Sequence, residues 1–436
     1  MNRKLLLAVL TLSLSAGAWA KGISIDGINY VLNSNNNTAS VTFMGGVYSS
    51  GNTYSGNIEI PPSVNYDNTD YTVTSIGEHA FYKCLNLTGI SIPSTVTSIG
   101  YSAFYGCSKL ASIDIPNSVN EIADYVFQGC YNLPSIELPS TITKIGIYTF
   151  CNCWALTSIE IPNAVTSIGA SAFNGCLGLK SVTMPDNLAK IGDNAFYYCS
   201  GLESITIPTL VTSVGKSAFY GCSKLESVTI NSNAVVSKTY TSKSALKEIF
   251  GTQVKEYVLG DEVEGIGSYA FNGYGNLEKI NIPNSITKIG NYALLGCSNL
   301  TSISIPENVG EIGDGAFADC TALADIYALR TNPAEYNCVK GSEDTWNTFR
   351  NVSASECTLH VPDDCKESYA STEPWSYFVN IVDSREPSSI GITPSDNCTA
   401  KAAGYFNAKG QRISQPQNGV NIIRRTDGTS RKVLVK

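Results

Sequence analysis

IPSTVTSIGYSAFYGCSKLASID (92–114), IPNSVNEIADYVFQGCYNLPSIE (115–137), LPSTITKIGIYTFCNCWALTSIE (138–160) and IPNAVTSIGASAFNGCLGLKSVT (161–183) are one 23-residue phrase written four times. The phrase holds its step in the prolines Pro93, Pro116, Pro139, Pro162, Pro185 and Pro208, and in the phenylalanines Phe81, Phe104, Phe127, Phe150, Phe173, Phe196 and Phe219. The cysteines Cys84, Cys107, Cys130, Cys153, Cys176, Cys199 and Cys222 keep the same step. A fixed period of this size marks a solenoid, in which each repeat folds as one coil and stacks on the last. A lone coil leaves its apolar set open at the edges, so neighbours complete the burial and the body grows along one axis. For that reason a length of 436 residues is no guide to domain count here.

Within residues 110–132, Leu110, Ile113 and Ile115 mark the inner side of a short strand, and Val119 and Ile122 mark a second inward segment. Phe127 and Cys130 mark a compact helical or 3₁₀ turn. Each coil then has three sides, with successive strands about 4.8 Å apart in a parallel ladder. Proline after the strand removes a donor and ends the pairing. A glycine column, Gly77, Gly100, Gly146, Gly169, Gly192, Gly215, Gly267, Gly290 and Gly313, is expected to turn a corner with positive φ. The fold class expected is a β-dominated repeat solenoid of 23-residue coils, with stacked short parallel strands and short helical or 3₁₀ turns.

The pattern changes at the ends and at two insertions. Residues 1–20 combine Arg3 and Lys4 with an apolar stretch from Leu5 to Leu14 and an Ala18-Trp19-Ala20 cleavage signal, the pattern of a secretory signal peptide. Residues 21–57 alternate polar and apolar side chains and read as an N-terminal β cap; 58–326 is the solenoid; 327–383 reads as degenerate capping coils. An insert, PPSVNYDNTDYT, enlarges the first coil, and a 29-residue unit between Asn231 and Gly260 replaces one of 23. Residues 384–436 read as a Pro/Ser-rich linker followed by a small β segment, with turns near Gly410 and at Asp427-Gly428. No later apolar run reaches the length of a membrane span.

Charged residues make up only 15% of the chain, and its formal net charge is −8. Residues 399–436 hold eight basic side chains against Asp427 alone, so the acidity is concentrated in the rest of the mature chain. Such a body repels phosphate backbones, which argues against nucleic acid as a partner. The two histidines, His79 and His360, lie far apart along the stack, and neither a G-x-S-x-G elbow nor an H-E-x-x-H helix occurs. Gly215-Lys216-Ser217 imitates the end of a phosphate-binding loop, yet Leu210 stands where its first glycine belongs. Asp261-Glu262-Val263-Glu264 is acidic without the spacing of a calcium loop. No enzyme, metal site or cofactor is expected.

The cysteine column is expected to line up inside the stack as buried thiols, small hydrophobes suited to a core. Disulfides along the column are the alternative, and zinc is disfavoured because the ligands run along the axis without converging. Outside the column, Cys338 with Cys357 is the pair most readily bridged, with Cys365 and Cys398 as alternatives.

Two faces are candidates for recognition. On the strand side, the residue between the inward aliphatics points to solvent, giving Asp114, Glu137, Glu160, Thr183, Thr206 and Thr229. This column is acidic, then hydroxylated, and suits a basic protein surface or a glycan; the plain alternative is a solvated strand face. Glu137 and Glu160 have the separation of a glycosidase pair but no expected pocket. On the turn side, Tyr82, Tyr105, Tyr197 and Tyr220 each follow a core phenylalanine and form partial stripes, broken by Gln128, Cys151 and Asn174. Such rings stack on sugars, anchor protein partners or simply pack over neighbouring turns.

From Ile58 to Leu323 the phrase resembles the leucine-rich repeat of the BspA-like surface proteins, the Treponema-type class, with its C-x-x-L-x-x-I-x-L/I-P-x-x-L/V-x-x-I-x-x-x-A-F-x-x-C unit. TLHVPDDCKESYASTEPWSYFVNIV is similar to the closing motif of such arrays, and the last residues resemble C-terminal sorting-type domains of bacteria that use type IX secretion. The resemblance implies an extracellular or cell-surface recognition protein, an adhesin for host or neighbouring-cell proteins. A surface glycan-binding protein is the alternative, and a secreted hydrolase a more distant one. Fold kinship does not identify the ligand.

Overall fold

The computed structural model describes residues 22–43, 54–342 and 347–383, and the backbone of four strands between 402 and 435. The leader expected at 1–20, the linker at 384–401, Cys398 and the turns near Gly410 and Asp427-Gly428 lie outside the described residues. The chain divides into two units, Met1–Asp383 and Ser384–Lys436.

The first unit is a three-sided leucine-rich solenoid. One side carries short strands after the Leu of each repeat, among them Asn86–Ser91, Ser112–Asp114, Ser158–Glu160, Ser181–Thr183, Ser204–Ile207 and Ser227–Ile230. Pairing is parallel at one-repeat register, Ser158 opposite Ser181 and Ser204 opposite Ser227. The second side is a ladder of two-residue strands such as Lys144–Ile145, Ser167–Ile168, Lys190–Ile191 and Ser213–Val214, also parallel. The core between the sides is a phenylalanine stack. Ring centroids of Phe150 and Phe173 are 5.2 Å apart at 11°, and those of Phe196 and Phe219 5.0 Å apart at 2°.

The third side is a run of tight turns whose geometry explains the rest of the repeat. The expected positive φ is not at the glycine column. It falls two and six residues later, as at Ser102 (φ 53) and Gly106 (φ 70), or Asn194 (φ 55) and Tyr198 (φ 56). The column glycines are there for lack of space. A Cβ on Gly192 would stand 2.6 Å from the amide nitrogen of Ala170 in the preceding coil, and one on Gly100 2.7 Å from that of Glu78. With turns placed this way, alternate N–H groups all point toward the next coil: Ser102 donates to Asp124 O at 3.1 Å, Phe104 to Val126 O at 3.0 Å and Gly106 to Gln128 O at 2.7 Å.

One junction departs from the pattern. Between the coils 110–132 and 133–155, Ser112–Asp114 has no strand partner above it and Glu121–Ile122 does not pair with Lys144–Ile145. Pro134 has no N–H to give to Ala111, where the equivalent Ala111 N donates to Thr88 O at 2.9 Å. On the second side, Asp124 Oδ1 takes the amide of Ile147 at 2.7 Å, and Thr141 Oγ1 reaches Val119 O at 2.6 Å. Between the coils lies a cleft of about 250 Å³ lined by Asn120, Glu121, Ile122, Ile142, Thr143 and Lys144. The turn ladder continues through, with Tyr125 donating to Ile147 O at 2.9 Å and Phe127 to Thr149 O at 2.8 Å, and at the corner Ala155 N donates back to Tyr131 O at 3.0 Å.

The insertions leave the core intact. PPSVNYDNTDYT folds as a hairpin, Ser63–Tyr66 antiparallel to Thr69–Ile76, around left-handed Asp67 and Asn68. The 29-residue unit loops out through two single-turn helices, Asn233–Val236 and Lys247–Phe250, and returns Phe250 to the stack 5.2 Å from Phe219. At the N-terminal end, antiparallel strands Ile28–Asn33 and Thr38–Thr42 cover the first coil, the latter pairing in parallel with Thr69–Ile76. At the other end, Phe349 stacks 5.6 Å from Phe317, and Trp375, Tyr336, Tyr369 and Phe378 close the core.

The second unit is a four-stranded antiparallel sheet in the order Arg412–Ile413, Ala402–Asn407, Gly419–Arg425 and Ser430–Val435.

Candidate functional site

On the strand side, Asp114, Glu137, Glu160, Thr183 and Thr206 are exposed and Thr229 is half-buried. Register places Glu160 beside Thr183 and Thr206 beside Thr229. Glu137 lies in the coil whose strand pairing Pro134 interrupts, so Asp114, Glu137 and Glu160 occupy successive coils without a shared ladder. They form an exposed acidic column, and neither Glu137 nor Glu160 lines the cleft.

On the turn side, Tyr82 stacks on Tyr105 at 5.0 Å and 16°, and Tyr197 on Tyr220 at 5.8 Å and 16°. The two pairs stand apart, because Gln128 and Asn174 are half-buried and Cys151 is buried in between. Desolvation, then the neighbouring Tyr198, pushes the Tyr197 phenol above its ordinary range. A second aromatic file escaped the sequence reading: His79, Tyr101, Tyr125 and Tyr148 follow one another at 5.0 to 5.4 Å. So did Tyr131 and Trp154, whose rings lie 4.1 Å apart. The signal was available, since both follow the column cysteine, where Ser108, Ser200 and Ser223 stand in other coils.

The column cysteines are buried free thiols, and from Cys107 onward each has its Sγ on a carbonyl of the preceding coil, as Cys130 to Phe104 O at 3.3 Å and Cys176 to Phe150 O at 3.1 Å. Burial pushes the thiols of Cys107, Cys153, Cys199 and Cys297 well up, and that of Cys151 up to about 12. Cys338 and Cys357, expected as the readiest disulfide, are also free. They sit on different sides of the coil. Cys338 is bridged to Ile312 in the second ladder, while Cys357 leads into the strand Thr358–Val361 with its Sγ toward Thr358 O. The Cys365 thiol turns to Asp363 O.

His360 Nε2 lies 2.8 Å from Asp325 Oδ1 and its ring stacks on Tyr327, whereas burial holds His79 below its usual range at the other end of the array. Asp261, Glu262 and Glu264 lie on the surface around buried Val263, and among the described residues no three His, Cys, Asp or Glu side chains converge as a metal site. Among the same residues no helix is long and apolar enough to cross a membrane.

Comparison with known proteins settles the repeat class. The model of the BspA-type leucine-rich repeat region matches residues 61–168, 143–252 and 248–338. The chain belongs to the BspA-type leucine-rich repeat family. That model describes a repeat region and indicates no catalytic family. Among solved structures, a leucine-rich cell surface protein of Faecalibacterium prausnitzii is 26% identical over 78% of this chain and 100% of its own, with a TM-score of 0.46. A leucine-rich repeat protein of Bacteroides ovatus is 29% identical over 83% of this chain and 100% of its own, at 0.45. The leucine-rich repeat protein of Treponema pallidum is 29% identical over 47% of this BspA-type chain and 91% of its own, at 0.39. No curated protein matches the chain.

Proposed function

We propose that this BspA-type chain is exported and acts at the cell surface as a recognition solenoid, an adhesin that binds extracellular proteins of a host or neighbouring cell. The observation that carries this reading is the exposed column Asp114, Glu137 and Glu160, with Thr183 and Thr206 beyond it. A solenoid presents such columns as an extended surface, so contact is spread over several coils. An acidic column selects a basic protein patch, and binding weakens with salt. The test is capture of matrix and cell-surface proteins by the mature chain and by the triple variant Asp114→Lys, Glu137→Lys, Glu160→Lys. Loss of the captured protein in the variant supports the strand face. Capture that persists in the triple variant but disappears with Tyr197→Ala and Tyr220→Ala moves the surface to the turn side.

The stacked pairs Tyr82–Tyr105 and Tyr197–Tyr220 favour a second reading, a surface glycan-binding protein. Binding to arrayed glycans without binding to matrix proteins would select it. Residues 384–436 are proposed to serve sorting or attachment, since they form a unit of their own and reverse the charge of the body. A chain ending at Asp383 is then expected to keep its ligand and to be lost from the cell surface.

A further inference from the structure

The residue after each column cysteine lies at a corner between the turn side and the strand side. In most coils it is small and polar, as Ser108, Ser200, Ser223, Ser298 and Thr321. In three successive coils it is Tyr131, Trp154 and Leu177, exposed at 37%, 47% and 47%. Nothing in the core requires these side chains, because the neighbouring coils fold with serine in the same place.

The three are also held in position. Ala155 N donates to Tyr131 O at 3.0 Å and Gly178 N to Trp154 O at 3.0 Å, so the backbone carrying them is fixed at the pitch of the stack. The Tyr131 and Trp154 rings lie 4.1 Å apart at 27°. The result is a preformed apolar ridge about 10 Å long, the span of two coil spacings of about 4.8 Å. Serines bound it at both ends.

The surroundings select the ligand. In a chain with an acidic body, residues 129–134, 151–157 and 174–179 contain no charged side chain, and the first charge beyond them is Lys180, in the register of Thr157 at one end of the ridge. What flanks the rings is Asn132, Asn152, Thr157 and Asn174, amides and a hydroxyl. A protein partner is normally gripped by aromatic anchors inside a polar, charged rim. Aromatic rings set among amides and hydroxyls match instead a ligand that offers C–H faces and neutral hydroxyl edges. We propose that the ridge Tyr131–Trp154–Leu177 is a binding platform for a neutral glycan, the C–H faces of a few successive sugar rings lying along it. It shares a ligand class with the second reading above but is a different site, away from the Tyr82–Tyr105 and Tyr197–Tyr220 pairs.

The experiment is a fluorescence titration of the mature full-length protein with neutral glycans (galactomannan, dextran and neutral mucin oligosaccharides), with heparin as the anionic control. With the Trp346→Phe change, the mature chain keeps Trp154, which is exposed, and Trp375, which is buried at 0%, so ligand on the ridge shifts emission to the blue and shields it from acrylamide. The expected result is saturable binding of at least one neutral glycan, insensitive to salt, weakened at least tenfold by Trp154→Ser and by Leu177→Ser. Both variants install the residue other coils carry, and an unchanged melting midpoint verifies their folding. Because Trp154→Ser removes the reporter, its affinity is read by calorimetry. The proposal is overturned if no neutral glycan binds, if only heparin or a protein shields Trp154, or if glycan binding survives both serine variants. Survival there with loss in Tyr197→Ala plus Tyr220→Ala would overturn the ridge while leaving the glycan reading standing.

Discussion

The Sγ of Cys107 lies 3.0 Å from the carbonyl oxygen of Phe81, one coil back, and donates to it. The same carbonyl already accepts the amide of Cys84 within its own coil, so the thiol ties two coils together without a covalent bond. Thiols engaged this way follow one another at the pitch of the stack and stay unpaired as disulfides. Alkylation of the native protein is expected to leave the column unmodified, and denaturant is expected to expose it; mass spectrometry reads the difference at each cysteine. The pH dependence follows from the raised folded-state values. For Cys151, moved from 9.0 to about 12, the unfolded chain ionises first, so its contribution is complete below pH 9 and is lost as pH rises from 9 towards 12. A melting midpoint that rises across that interval would contradict this.

Phe150 and Phe173 are fully buried with near-parallel rings, and truncation leaves a cavity that the coils on either side are too regular to close. Phe150→Ala or Phe173→Ala is expected to cost about 3–5 kcal/mol in chemical denaturation. A midpoint equal to that of the parent would show that the stack is not the core.

The glycine column gives a graded test. A Cβ at position 192 meets the backbone of Ala170 at 2.6 Å, whereas at position 146 the nearest backbone atom, Ala123 O, is 3.1 Å away and the closer atoms belong to the side chains of Asp124 and Thr149. Gly192→Ala is therefore expected to destabilise by roughly 1–3 kcal/mol, and Gly146→Ala by less. The reverse order would mean that the coils approach as closely at Gly146 as they do at Gly192.

At that same junction the amides of Thr143 and Gly146 lack the coil-to-coil acceptors that Thr166 and Gly169 have one repeat later, in Thr143 O at 3.0 Å and Ile145 O at 2.8 Å. Native-state hydrogen exchange at Thr143 and Gly146 is expected to be at least about tenfold faster than at Thr166 and Gly169. Equal protection would place a hydrogen-bonded ladder across the cleft.

The periodic part of the sequence spoke clearly because each letter does one geometric job in every coil: Phe173 and Phe196 stack, Ile168 and Ile191 pair, Pro162 and Pro185 stop the strand. The glycine column misled about mechanism because two causes produce the same letter. Positive φ and close approach both exclude a side chain, and only coordinates tell that Gly192 answers to the second and Gly106 to the first. The candidate strand column was legible from alternation, but its interruption at Glu137 depended on what Pro134 lacks toward the coil below, a relation between repeats. Tyr131, Trp154 and Leu177 were legible too, as departures from serine at a surface position.

The turn side has one more consequence. Its peptide groups point the same way in coil after coil, three for each advance of about 4.8 Å. An α-helix aligns one peptide of about 3.5 D for every 1.5 Å of its length, which is nearly the same density. The strand sides add little, since neighbouring peptides along a strand oppose one another. The solenoid is thus electrically a long helix laid along one wall, negative where the carbonyls of Glu78, Ala80 and Tyr82 face the N-terminal cap and positive toward the C-terminal coils. Its two poles are unlike even before any side-chain charge is counted.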